Sequence, residues 1–179
     1  MTTIAYDGTT VAADGRATAE GLLVSDKTKK LITIKKAFFN DEEVVCLAFA
    51  GAMEDAAMLI NHLKTESLGL GSRLELECHG LLFTKYGIYL FEGSNFAQQQ
   101  DEPIAMGSGA IAALTAMRLG LDAKAAVKTA MKMDVYTGGR ITAIQVRNKR
   151  VTATDVKVVE ASRVVCERYA EALKNLGDR

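Results

Sequence analysis

Short apolar and alternating runs fill the first fifty positions of the chain, and apolar stretches with helical spacing enter after them. Thr3-Ile4-Ala5-Tyr6 and Thr9-Thr10-Val11-Ala12-Ala13 predict two strands. Asp7-Gly8 between them is the pair best suited to a type I′ hairpin, whose central positions both need positive φ. Leu22-Leu23-Val24 and Lys30 to Ile34 predict further short strands, the second alternating apolar and polar residues. Glu43 to Ala50 predicts a strongly apolar strand that meets Gly51 and then a helix from about Glu54 to Lys64.

Leu74 to Cys78, Leu81 to Thr84 and Ile88 to Glu92 predict scaffold strands, the last two joined by a turn at Lys85-Tyr86-Gly87. Phe96 to Glu102 is polar and reads as a surface loop or edge. Ile104 to Gly109 leads into an apolar helix over Ala110 to Leu119, ended by Gly120, and Asp122 opens another from Ala123 to about Met133. Ile141 to Val146 and Arg150 to Thr154 predict a hairpin, followed by an amphipathic helix over about 158–176. Strands, a helix, strands, two helices, then strands and a helix give an α+β fold class. The 179 residues suit a single domain with one core.

Charge narrows the function. The chain carries 22 basic and 22 acidic residues, so no long-range field draws it to nucleic acid or an anionic membrane. No run of about 18 apolar residues and no secretory segment is visible, which makes a cytoplasmic location the expectation. Cys46, Cys78 and Cys166 form no C-x-x-C pair and read as buried thiols. His62 and His79 stand too far apart to suggest a metal motif, so no metal and no cofactor is expected.

Chemistry concentrates in the first thirty residues. Removal of Met1 would leave Thr2 as a free N-terminal threonine, with a nucleophilic hydroxyl and an α-amine base on one Cα. That amine titrates near pH 7.7 to 8.0 without perturbation, and a nearby ammonium lowers it further. Lys30 is the candidate ammonium, and Asp14, 16 positions before it, the carboxylate that holds it. Gly51, between an apolar strand and a helix start, can expose its N–H to a developing oxyanion.

Thr2-Thr3-Ile4, Asp14-x-Arg16-x-Thr18, the spacing to Lys30, Phe49-Ala50-Gly51-Ala52 with Asp55, Gly107-Ser108-Gly109 and Asp134-Val135-Tyr136-Thr137-Gly138-Gly139 occur in order. Together they resemble the proteasome β-subunit and HslV family of N-terminal-nucleophile hydrolases. The resemblance implies a four-layer αββα sandwich and a threonine peptidase. It carries Gly51 to the family's oxyanion position and makes Ser108, Asp134 and Thr137 supports of the nucleophile and its amine. Ala17, Thr28, Phe49 and Met53 fall where the family lines its S1 pocket, which implies an apolar P1 residue. It further implies homo-oligomeric rings fed with unfolded protein by an ATP-dependent unfoldase.

Thr2 and Asp14 stand closer together than the family usually has them, which points to a shortened first hairpin. No propeptide is expected before Thr2, as in HslV, whereas Tyr136-Thr137-Gly138-Gly139 looks more like the proteasome, so the subfamily stays mixed. A small-substrate amidohydrolase on the same fold and a noncatalytic assembly subunit are the alternative readings.

Overall fold

The computed structural model describes residues 2–99 and 103–146, which lie in one compact unit, Met1–Asn148. Residues 149–179, with the expected strand at 150–154, the expected helix at 158–176 and Cys166, lie outside the described residues.

Strands β1 (Thr3–Tyr6) and β2 (Thr10–Ala13) form the first hairpin. β3 (Ala17–Ala19) and β4 (Leu22–Ser25) make a separate two-stranded ribbon, followed by β5 (Leu31–Thr33), β6 (Phe38–Phe39) and β7 (Glu42–Gly51). Helix α1 (Met53–Thr65) leads to β8 (Cys78–Thr84), β9 (Ile88–Glu92) and β10 (Asn95–Gln99). β11 (Ile104–Gly107), α2 (Ala110–Arg118), α3 (Ala123–Met133) and β12 (Thr142–Gln145) complete the described elements.

One antiparallel sheet runs β11-β1-β2-β12 and a second runs β10-β9-β8-β7-β5, with β6 also on β7. Alternation along β1 decides what each face of the first sheet meets. Ile4 and Tyr6 join Cys46, Ala48, Leu81 and Phe83 of the second sheet in one core cluster. The Tyr6 and Phe83 rings meet there edge to face, with centroids 5.0 Å apart. Ala5, between them in sequence, packs instead with Ala12 and with Ala113, Ala116, Ala126 and Ala130 of α2 and α3. Small residues on both sides let the helices lie close to the sheet. Phe39, Leu47, Phe49, Leu82 and Phe91 gather against Leu59 and Leu63 of α1 in a third cluster.

Several expected elements are met closely. α3 spans Ala123–Met133, and Asp122 caps it by accepting from Ala125 N–H at 2.7 Å. The described part of the polar stretch after Phe96 belongs to β10, an edge strand. The first turn differs from expectation. Tyr6 pairs with Val11, and Asp7 N–H donates to Thr10 O at 3.2 Å, so Gly8 and Thr9 form the tip. Only Gly8 has a positive φ, 101°, the pattern of a glycine-led turn rather than of type I′. Asp7 is more useful beside the tip: Oδ1 accepts from Thr9 N–H and Thr10 N–H, and Oδ2 from Ala123 N–H at the start of α3. The expected strand at Leu74 to Cys78 is also corrected. Regular pairing begins only at Cys78, where β8 meets Gly51 of β7.

Candidate active site

The site forms where β1, β5, β7 and β11 end at the same edge of the molecule. Asp14 lies just beyond β2 with its side chain fully enclosed, and Lys30 stands immediately before β5, its side chain 5% exposed. Lys30 Nζ donates to Asp14 Oδ1 at 2.9 Å. The same oxygen accepts from Thr3 N–H at 2.9 Å, and Oδ2 accepts from Gly138 N–H at 3.0 Å and Arg16 N–H at 3.2 Å. A buried carboxylate with a cation and three amides around it is compensated on every side. Burial pushes the Lys30 pKa down, Asp14 opposes this through its hydrogen bond and charge, and the positive charge of Arg16 lowers it further. The net direction is downward.

A second carboxylate organises the opposite side. Asp134 Oδ2 accepts from Ser108 Oγ at 2.6 Å and from Thr137 Oγ1 at 2.5 Å, and Oδ1 accepts from Tyr136 N–H at 3.2 Å. Partial burial pushes the Asp134 pKa up, but the hydrogen bonds from Ser108, Thr137 and Tyr136 outweigh it and hold the carboxyl below its usual range. Thr3 Oγ1 lies 2.6 Å from Thr137 Oγ1. A hydroxyl has one proton, and Thr137 gives its own to Asp134, so Thr3 is the donor in that pair. The result is a polarised chain from Thr3 through Thr137 to Asp134.

Gly107 and Gly109 explain themselves in this frame. Gly107 has φ of 90°, and a Cβ there would fall 1.8 Å from Thr2 O. A Cβ on Gly109 would fall 2.3 Å from Thr3 Oγ1 and 2.9 Å from Thr137 Oγ1. Ser108, held between them, donates its N–H to Thr2 O at 3.0 Å.

A cavity of about 290 Å³ opens beside these groups, lined by Thr2, Ala17, Thr18, Thr28, Lys30, Phe49, Ala50, Gly51 and Met53. The four residues expected to line a side-chain pocket, Ala17, Thr28, Phe49 and Met53, therefore share one cavity with Thr2, Lys30 and Gly51. Gly51 has φ of 103°, and a Cβ on it would meet Glu77 O at 2.5 Å. Ala52 precedes α1 without a side-chain cap, which leaves first-turn amides without that acceptor. Two larger clefts, about 430 Å³ each, lie between the first hairpin tip and the turn joining α2 to α3, and between β5 and β12. Neither contains Thr2, Asp14 or Lys30.

Thr3 is a participant that sequence reasoning missed. Nothing local marks Thr3, because its hydroxyl partner is 134 positions away. Cys46 and Cys78 are buried thiols whose pKa values burial pushes up to about 12 and about 11. Among the described residues no group of three or more His, Cys, Asp or Glu could hold a metal ion, and no helix is long and apolar enough to cross a membrane.

No protein-family model and no curated protein matches the chain. Solved structures do. HslV from Trypanosoma brucei aligns with a TM-score of 0.57 at 22% identity, covering 80% of this chain and 97% of that one. Thiobacillus denitrificans BPH aligns with a TM-score of 0.61 at 17% identity, covering 83% and 98%. The same protein in complex with epoxomicin gives 0.60 at 15% over the same shares. The chain has an HslV-like fold. At these identities the likeness concerns the fold, and the chemistry rests on the residues of the site.

Proposed function

We propose that the protein is an N-terminal threonine peptidase that hydrolyses peptide bonds through an acyl-enzyme, on a four-layer αββα sandwich. The observation that carries this reading is the buried Lys30–Asp14 pair, joined at 2.9 Å, whose lysine shares a cavity with Thr2 and Gly51. Removal of Met1 frees the α-amine of Thr2. Thr2 Oγ then attacks the scissile carbonyl while the amine takes its proton, directly or through water, and the Gly51 N–H donates to the oxyanion. The C–N bond breaks as the amine passes its proton to the leaving nitrogen. Water, deprotonated by the same amine, cleaves the ester and restores Thr2 Oγ–H.

Lys30 disfavours a second positive charge beside it and so keeps the amine basic but unprotonated. Ser108 has committed its proton to Asp134, which leaves its oxygen to accept from the amine of Thr2, its hydrogen-bonded neighbour. Ala17, Thr28, Phe49 and Met53 present no charge and favour an apolar P1 side chain. In this reading the chain is one subunit of a cytoplasmic homo-oligomeric ring that encloses its sites and receives unfolded protein from an ATP-dependent unfoldase.

The test is the intact mass of the purified chain before and after epoxomicin, the compound in complex with the BPH neighbour. Loss of Met1 and a single adduct, absent from Thr2→Ala, is the expected result. Retained Met1 with no adduct would sink the reading in favour of a noncatalytic assembly subunit.

A further inference from the structure

The mechanism above gives Arg16 no task, yet its side chain joins three loops. Nε donates to Asp26 Oδ1 at 3.0 Å and Nη1 to Val135 O at 3.1 Å. Between these contacts the guanidinium rests on Gly138, where a Cβ would fall 2.4 Å from Cζ and 2.6 Å from Nε and Nη2. A Cβ there would push the planar group off these contacts. Asp26 grips the same turn through its backbone: its carbonyl accepts from Arg140 N–H at 2.8 Å, and a Cβ on Gly139 would lie 2.4 Å from that oxygen. Gly15 N–H donates to Gly138 O at 3.0 Å, and Thr28 N–H to Gly15 O at 2.9 Å. Segments 14–16, 26–28 and 134–140 thus meet around one guanidinium.

We propose that Arg16 is a positioning residue of this site: with Asp26 it clamps the 134–140 turn onto the Asp14 loop, keeping Gly138 N–H on Asp14 Oδ2 and Asp14 Oδ1 on Lys30. Its kinetic consequence rests on the threonine-peptidase reading, whereas its geometry does not. The Arg16 and Asp26 side chains are 30% and 42% exposed, so their ion pair adds little to global stability. The fork matters for what it aligns, since one planar group reaches acceptors in two different segments and an ammonium cannot reproduce that. Misplacement of catalytic groups by about 1 Å can cost on the order of 10²-fold in rate.

The experiment compares Arg16→Lys, Arg16→Gln and Asp26→Asn by kcat and KM on a blocked fluorogenic tripeptide with an apolar P1 residue. It adds the pH dependence of kcat/KM, the thermal midpoint and hydrogen exchange at Gly138. In both Arg16 variants kcat should fall about 10-fold or more while KM stays within about two-fold. The Gly138 amide should exchange faster, and the thermal midpoint should move by only a few degrees. Arg16→Gln removes a positive charge whose presence lowers nearby amine pKa values, so its acid limb should move to higher pH. Arg16→Lys keeps the charge and should leave that limb in place. Unchanged kcat in both variants overturns the proposal, as does a kcat loss that only tracks the midpoint with an unmoved acid limb in Arg16→Gln. If the Arg16 variants fail to fold, Asp26→Asn decides: reduced kcat with faster Gly138 exchange supports the clamp, and neither change overturns it. If the wild-type protein shows no turnover and no Thr2 adduct, the peptidase reading fails instead. Gly138 exchange in Arg16→Gln then decides the clamp alone, faster exchange supporting it and unchanged exchange overturning it.

Discussion

Asp14 meets a lysine and three backbone amides with its side chain fully enclosed, whereas Asp134 gathers two hydroxyls and one amide at a half-open edge. Both are carboxylates within one site, but they are held by different physics. Asp14 is a buried charge that must be compensated, so its partners are fixed by the cost of losing any of them. Asp134 keeps some contact with water, and its partners orient hydroxyl protons more than they neutralise charge. An enclosed, charge-compensated half thus faces a more open half that orients hydroxyl protons.

The largest expected effect comes from breaking the enclosed half. Lys30→Ala leaves the Asp14 carboxylate buried without its cation, and a broken buried pair costs about 3–5 kcal/mol. Chemical denaturation should show a loss of that size together with loss of turnover. A stability within about 1 kcal/mol of wild type would mean that water reaches Asp14 and that the two halves do not differ as argued.

Asp134→Asn should cost less, about 1–2 kcal/mol at pH 7, because the group is partly solvated. Its pH dependence sharpens the contrast. The folded carboxyl titrates below its ordinary value, so the stability it contributes is present above the unfolded pKa and disappears as pH falls through the folded one. Wild type and Asp134→Asn should therefore differ at neutral pH and converge as pH falls below the ordinary carboxylate value. A gap that stays constant across that range would remove ionised Asp134 from the argument.

Much of this arrangement was legible in the sequence, for reasons that are local. Asp122 predicted the start of α3 because a cap bonds within its own first turn, and the apolar run before Gly51 predicted β7 because the length of a continuous apolar run is visible in a short window. The charge argument singled out Lys30 and Asp14, the resemblance supplied Ser108, Asp134 and Thr137 as positions, and the structure brings Lys30 to Asp14 and the other three together. What stayed hidden depends on contacts distant in sequence. Gly8 and Thr9 form the first tip, rather than Asp7 and Gly8, because Asp7 is drawn to the amides of Thr9, Thr10 and the distant Ala123. Leu74 to Glu77 carry a strand-like pattern, but Asp55 of α1 takes the Glu77 N–H that a ladder would use. Gly109 looks like a flexible loop residue until Thr3 is placed against it.

Thr3 is the point where the two halves touch, and it offers the finest test of whether they act together. Its N–H belongs to the Asp14 side and its hydroxyl to the Asp134 side. Thr3→Val keeps the first bond and the shape of the side chain while removing the second, at an expected cost of about 1 kcal/mol. The informative quantity is the coupling in a double-mutant cycle with Asp134→Asn. If the chain Thr3–Thr137–Asp134 is one polarised unit, removing its far end and its carboxylate should not add, and the stability coupling should be about 0.5–3 kcal/mol. Costs that sum within about 0.5 kcal/mol would show independent hydrogen bonds. In that case the halves communicate only through the backbone of the Asp14 loop and the 134–140 turn, and the coupling should reappear when Asp134→Asn is paired with Arg16→Gln.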